Sequence, residues 1–407
     1  MNLTPTEEQQ TIIDAVSTGG SLKVAALAGT GKTSTLQLIA SIYPKRRGLY
    51  LAYNKALQLS AQAKFPDWID CKTVHGLAFK KEGFKFFNQL KERPNYYEII
   101  DALTIDDFEA SIPVGTGKVS VELVAEKQVA LSREIIRYFT FSNQKTIDQQ
   151  NFEGFLKREF SIIFPDFYQD GVLKSEDINT VACFESMIEK ILTETQKIWE
   201  HQSSPKSTLV PASHDTYLKI YQMSNPRIDG YDYIMLDEAQ DANPCILDIL
   251  ANQTCQVIYV GDEHQQIYEF RGTVNAMQTL NLPVLYLTQS FRFGKKIADE
   301  ANVLLKRLKS PSLVKGLLSI PSKVGELKQL PYTLLARTNI TLFEKCAEAI
   351  KDGHRCSLAA DVNGIISLIR SVFYLWMKKP DWVKDGRVEG FTTWQDLMEF
   401  ADDENDH

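Results

Sequence analysis

The strongest chemical signature in the chain is the run Ala28, Gly29, Thr30, Gly31, Lys32 and Thr33. Glycines followed at once by a lysine and a hydroxyl suit a loop whose successive N–H groups turn inward on phosphate oxygens. Lys32 can then neutralise the β and γ oxygens of a nucleoside triphosphate, and the Thr33 hydroxyl can ligate Mg2+. Ala26 stands where the usual pattern has its first glycine, and a chance match in a glycine-containing loop is the bland alternative. Far downstream, the apolar run Ile234, Met235, Leu236 ends in Asp237 and Glu238. Asp237 is placed to hold the Mg2+ shell, and Glu238 to orient or deprotonate an attacking water. Alone, such a pair could equally cap a helix; beside the lysine loop it specifies triphosphate hydrolysis.

These groups need a frame that brings them together. Short apolar runs rich in β-branched and aromatic residues recur at 22–27, 48–53, 233–236, 257–260, 284–287 and 334–336, and they read as buried parallel strands. Most are followed by polar or glycine-containing loops and then helix-period segments, which predicts an α/β sheet with its ligand at the carboxyl ends of the strands. Between about 82 and 210 the strand runs vanish, predicting a helical insertion. Its best segment is 187–200, where Ile188, Ile191, Leu192, Ile198 and Trp199 share a stripe, and Glu189, Lys190, Glu194 and Lys197 fall elsewhere.

With 407 residues the chain exceeds one ordinary compact unit, so two or three subdomains are expected. No apolar stretch is long enough to span a bilayer and the first ten residues do not form a secretory signal, which makes the cytoplasm the default location. Six cysteines lie far apart without a close pair; they read as reduced, mostly buried thiols, with neither a zinc site nor a disulfide framework. A net charge of −7 argues against coating nucleic acid by bulk electrostatics. Any such contact must be local.

The string Asp237, Glu238, Ala239, Gln240, Asp241 resembles motif II of the UvrD/Rep-type superfamily 1A DNA helicases, and 260–272, with Asp262, Gln265, Tyr268, Phe270 and Arg271, resembles motif III. The likeness extends to 6–9 (the Q motif), 52–56 (Ia), 73–76 (Ib) and 289–292 (IV), in the family's order. Ser34, Tyr53 to Lys55 and the run 214–219 are most similar to the F-box DNA helicase subgroup, although the chain has no evident F-box segment. A metabolic kinase has no reason to carry the 237–241 and 261–272 strings.

The resemblance implies a P-loop, RecA-like parallel sheet core with a helical insertion and a partial second RecA-like lobe. Lobe 1A would comprise 1–81 and 211–305, insertion 1B 82–210, and partial lobe 2A 306–407. It implies ATP and Mg2+ as cofactors, with Gln9 reading the adenine edge and Phe291 stacking on the ring. Gln265 and Arg292 would touch the γ-phosphate beside the catalytic Glu238. Single-stranded DNA is the implied partner, tracked by Tyr53, Asn54, Lys55, Thr73, His75, Phe270 and Arg271, with His214 and Lys219 as further candidates and Tyr268 inside the core. A few local phosphate contacts suffice for such binding despite the net charge. The implied activity is ATP-dependent 3′–5′ helicase or translocase work in repair or recombination, nuclear in a eukaryote and nucleoid-associated in a bacterium. After 334–339, however, motifs V and VI of the family are not found. The arginine that motif VI brings to the γ-phosphate is worth about 10³-fold or more in rate. An ATP- and DNA-binding module without motor activity, or one completed by a protein partner, is therefore the alternative.

Overall fold

The computed structural model describes residues 4–90, 96–114, 117–207, 209–266, 275–325, 331–359, 362–385, 388, 393–395 and 397–398. It divides into two units, Met1–Val324 and Gly325–His407.

In the first unit the chain order is α1 (Glu7–Ser17), β1 (Leu22–Ala26), α2 (Lys32–Ile42), β2 (Gly48–Ala52), α3 (Lys55–Gln62), β3 (Ile69–Thr73) and α4 (Val74–Lys81), followed by a 3-10 helix, Gly83–Gln89. Next come α5 (Tyr96–Leu103), the strands β4 (Phe108–Val114) and β5 (Gly117–Leu123), α6 (Ala125–Phe141), α7 (Gln149–Ile163), the short strands β6 (Tyr168–Gln169) and β7 (Val172–Leu173), and α8 (Ile178–Ser203). The unit closes with α9 (His214–Met223), β8 (Tyr233–Leu236), α10 (Pro244–Ala251), β9 (Gln256–Gly261), α11 (Ala276–Thr279), β10 (Val284–Leu287) and α12 (Lys295–Arg307).

Six strands form one sheet in the order β10-β1-β9-β8-β2-β3, and every pairing in it is parallel. Alternation along the strands divides the core in two. Leu49, Leu51, Ile234, Leu236, Val257 and Tyr259 pack with α4, α9 and α10. Tyr50, Tyr233, Met235, Ile258 and Val260 pack on the other face with α1 and α2. Burial on both faces is why these strands read as continuous apolar runs. The sequence reading missed β3, an edge strand in which Ile69 and Cys71 are buried while Asp70 and Lys72 are half-exposed. Its charged alternate positions hide it from a search for apolar runs.

A separate cluster, from Ile99 to Val210, gathers the helices α6, α7 and α8. The expectation of helices alone there needs correcting. Strands β4 and β5 pair antiparallel over seven residues each, and Ile112, Val121 and Leu123 face the cluster. One buried face and one wet face give short alternation, which a search for apolar runs does not detect. On α8 the stripe Ile188, Ile191, Leu192 and Ile198 is buried as expected, but so is Glu194, whose carboxylate accepts from Lys190 Nζ at 2.7 Å. The cysteines also differ from expectation: all six are free, but only Cys71 and Cys245 are buried.

In the second unit, helices α13 (Asn339–Lys351) and α14 (Val362–Trp376) are the main regular elements among the described residues. The strand expected at 334–336 is not formed, and Leu335 is 87% exposed. A parallel strand needs a neighbour to take its N–H and C=O groups, and no strand is present in this unit among the described residues.

Candidate nucleotide site and DNA-facing loops

Sheet order does the positioning. β9 lies between β1 and β8, so the loops that follow these three strands meet at one crevice at their carboxyl ends. After β1 the chain turns through Gly29 and Gly31, with φ of 73° and 83°, a left-handed backbone that favours glycine. Gly31 then caps α2, so the N–H groups of the loop and of the first helical turn face the crevice. Lys32 opens α2, and its Nζ lies 2.6 Å from Glu238 Oε2. Thr33 Oγ1 stands 3.5 Å from Asp237 Oδ2. Two segments about two hundred residues apart in sequence thus converge, as their side-chain chemistry demanded.

The acidic side of the crevice is a hydrogen-bonded network. Tyr50 donates its hydroxyl to Asp237 Oδ2 at 2.7 Å, and Glu238 N donates to Asp237 Oδ1 at 3.0 Å. Glu238 sits at φ 53°, a rare backbone state for a side chain of its size, which aims its carboxylate back at Lys32. Gln240 Nε2 donates to Glu238 Oε2 at 2.9 Å, while its Oε1 accepts from Asp262 N at 3.0 Å. Gln265 Nε2 donates to Asp262 Oδ2 at 2.6 Å. One chain of contacts therefore runs from Lys32 through Glu238, Gln240 and Asp262 to Gln265.

Burial raises the Asp237 carboxyl above its ordinary range, more than the Tyr50 hydrogen bond lowers it. Burial likewise raises Asp262. Desolvation first, and then the neighbouring Asp237, push the Tyr50 hydroxyl far up, so it remains a donor. A buried carboxylate with its charge this poorly compensated, beside a threonine hydroxyl, is an oxygen donor set suited to a hard cation such as Mg2+.

The opposite corner of the crevice is built by α1 and the loop after β10. Thr6 and Gln9 form a capping box that starts α1. Gln9 Oε1 accepts from Thr6 N at 3.0 Å and Nε2 donates to Thr35 Oγ1 at 3.1 Å, which leaves one lone pair and one N–H on its amide. A Cβ placed on Gly31 would lie 3.6 Å from both Gln9 Nε2 and Phe291 Cε2, so the three share one corner. Phe291 N donates to Gly29 O at 2.8 Å, which joins the two loops directly. Arg292 follows, exposed. Glu8 pins this loop to α1 by accepting from the Thr288 hydroxyl and, at 2.8 Å, from Thr288 N. Partial burial pushes its carboxyl up, but those hydrogen bonds and Lys315 outweigh it and hold it below the ordinary range.

The DNA candidates begin the next two helices, α3 and α4, at the same carboxyl end of the sheet. Asn54 caps α3, its Oδ1 accepting from Leu57 N at 2.9 Å; Lys55 is exposed and Tyr53 half-buried beside it. Thr73 caps α4 through Gly76 N at 2.9 Å, and His75 Nε2 lies 2.9 Å from Asp215 Oδ1. His214 is exposed, with Nδ1 3.0 Å from the Tyr217 hydroxyl. Lys219 is a correction: fully buried, it donates to Ser142 O at 2.9 Å and Gln144 O at 2.5 Å and cannot reach a DNA phosphate. Phe270 and Arg271, with Tyr268, lie outside the described residues. Sequence reasoning did not assign Tyr50, Gln240 or Asp262. Tyr50 sits inside a buried run that signals only core, whereas Gln240 and Asp262 belonged to strings already singled out.

Comparison with known proteins agrees with this geometry. Residues 174–281 match the UvrD/REP helicase N-terminal domain. F-box DNA helicase 1 of Gallus gallus is 32% identical over 354 residues, covering 84% of this chain and 32% of that protein. F-box DNA helicase protein 1 of Schizosaccharomyces pombe is 31% identical over 361 residues, 82% of this chain and 38% of that protein. These matches support a UvrD-like superfamily 1 helicase. Its likeness to the F-box DNA helicases, first read from short strings, extends over most of its length. The chain spans about a third of the length of these two relatives. A more distant bacterial protein, the putative ATP-dependent DNA helicase YjcD of Bacillus subtilis, is 27% identical over 121 residues, 27% of this chain and 16% of that protein. No described helix is long and apolar enough to cross a membrane.

Proposed function

We propose that the chain binds ATP with Mg2+ in the crevice between β1, β9 and β8, and couples its hydrolysis to 3′–5′ movement on single-stranded DNA in repair or recombination. The observation that carries this reading is the meeting of Lys32 with Glu238 and of Thr33 with Asp237. When bound, Mg2+ supplies charge neutralisation at the β and γ phosphates; Thr33 and Asp237 would hold it. Lys32 exchanges Glu238 for phosphate oxygen, which releases the Glu238 carboxylate to take a proton from the attacking water. Gln9 and Phe291 frame the adenine. Gln265 and Arg292 address the γ-phosphate, and the links from Gln265 through Asp262 and Gln240 to Glu238 give hydrolysis a route to the loop after β9. Tyr53, Asn54, Lys55, Thr73 and His75 line the strand, at helix N-termini suited to phosphate. In this reading 1–81 and 211–305 form the nucleotide lobe, 82–210 the insertion, and 306–407 the start of a second lobe.

A second reading is a nucleotide- and DNA-binding module without motor activity. The lack of a strand at 334–336 favours it. An ATPase assay with and without oligo-dT decides between them. Strong stimulation in pure protein supports the motor, and binding of both ligands without stimulation supports the module. In either case Lys32→Ala should remove Mg2+-dependent ATP binding and at least about 10²-fold of any hydrolysis; undiminished hydrolysis in clean protein refutes the site.

A further inference from the structure

Immediately after α4 the chain leaves aromatic rings in solvent. Phe84 and Phe87, on the 3-10 helix Gly83–Gln89, are 57% and 71% exposed. A 3-10 helix has three residues per turn, so both rings stand on one edge, about 6 Å apart along the axis. The mount is fixed. Phe86, between them, is buried in the cluster beneath the sheet. Gln89 Nε2 donates to Pro205 O at 2.6 Å, and Gln89 O accepts from Ala212 N at 3.1 Å. Gly83 lies so close to its neighbours that a Cβ there would sit 2.5 Å from Phe79 Cδ2. Two rings held outward by an anchored segment mark a contact surface.

The charge around them selects the ligand. The described residues 80–90 hold three basic side chains and one acidic one in a chain of net charge −7. Lys80, Lys81 and Lys85 are exposed; Lys85 pairs with Glu82 at 2.6 Å, while Lys80 and Lys81 have no carboxylate partner among the described residues. We propose that Lys80, Lys81, Phe84 and Phe87 form a second platform for single-stranded DNA, the rings stacking on bases and the ammonium groups meeting phosphates. The inference rests on the DNA-binding reading above and extends its track. α4 has eight residues and is about 12 Å long, and it leads from Thr73 and His75 to these lysines, a step of a few nucleotides along one strand. Protein partners fit less well, because a stable interface needs about 800 Å² per side, and two rings flanked by lysines offer less apolar surface.

The test uses the 407-residue chain and fluorescence anisotropy with labelled oligo-dT of about 20 nucleotides. Phe84→Ala combined with Phe87→Ala should weaken binding at least about 5-fold with the salt dependence unchanged. Lys80→Gln with Lys81→Gln should flatten the plot of log affinity against log salt by about 1.4, the value for two single-strand phosphates. Affinity for a fluorescent ATP analogue should stay the same in both variants. In Phe87→Trp, oligo-dT should quench the indole emission saturably. If both double variants bind oligo-dT as the wild type does, the platform is refuted while the wider DNA reading stands. If the wild type itself fails to bind, both fall. Loss of self-association in sedimentation by the phenylalanine variant, with oligo-dT binding intact, would instead make the patch a contact between copies and overturn the proposal.

Discussion

Lys219 offers a quantitative test of how the insertion is joined to the sheet. It is fully buried on α9, its ammonium 4.2 Å from the centre of the Phe139 ring, and its contacts include the carbonyls of Ser142 and Gln144 just past α6. Burial lowers its pKa from an ordinary 10.5 to about 8. At about 1.4 kcal/mol per unit, that difference is roughly 3 kcal/mol. For a depressed lysine, the unfolded chain binds more protons between the two values, so stability rises with pH across that window. The contribution is fully present above pH 10.5 and is lost as pH falls through about 8. At pH 7 the buried charge is therefore a liability, offset by the two carbonyls it satisfies. Lys219→Met removes the charge but leaves those carbonyls without a donor, at about 1–3 kcal/mol each. At pH 7 the variant should lie within a few kcal/mol of wild type. Cys245, pushed up to about 12 by burial, gives the opposite slope, and the Lys219 charge lowers it. With Cys245→Ala introduced into both proteins, the difference in urea unfolding free energy between them, measured from pH 7 to 10.5, isolates Lys219. It should grow in favour of the lysine by roughly 3 kcal/mol; a flat difference curve would show that the lysine is not held charged in a dry site.

Glu238→Gln should retain ATP binding but lose about 10²–10⁴-fold in hydrolysis rate, because the amide cannot accept the proton from water; single-turnover kinetics reads this directly, and an unimpaired chemical step excludes Glu238 as the base. Asp237→Asn should act in opposite directions on the free and liganded protein. A carboxyl raised by burial contributes stability below its ordinary 3.8 and loses it as pH rises through the higher folded value. At pH 7 its replacement should therefore raise the melting temperature of the nucleotide-free chain, while abolishing the Mg2+-dependent thermal shift with ATP. A lowered melting temperature without nucleotide would contradict the assigned cause.

What could be read beforehand followed from how each residue expresses itself along the chain. Strands buried on both faces declare themselves as apolar runs, and a polar group at the end of such a run stands out. That is why Lys32, Asp237 and Glu238 were legible together with their strands. Tyr50 was not, because a tyrosine within a buried strand looks like core until the neighbouring strand's terminal carboxylate is seen 2.7 Å from its hydroxyl. Strand β3 alternates charge with apolar residues, and β4 and β5 alternate over one buried face, so a search for apolar runs passes over all three. Lys219 failed for the converse reason: sequence records its charge but not its burial.

These cases share a physical consequence for the site. Asp237 and Asp262 are both buried just past strand ends with pKa values raised by desolvation, so ionising them costs the nucleotide-free fold. Lys32 partly offsets it by pairing with Glu238. A bound triphosphate with its cation would relieve both sides, offering phosphate oxygens to Lys32 in place of Glu238, and a cation to Asp237. The relief is available only when both arrive together. Nucleotide affinity should therefore depend on Mg2+ far more steeply than phosphate charge neutralisation in solution requires, and Asp237→Asn should remove that excess while leaving the Gln9 and Phe291 corner intact.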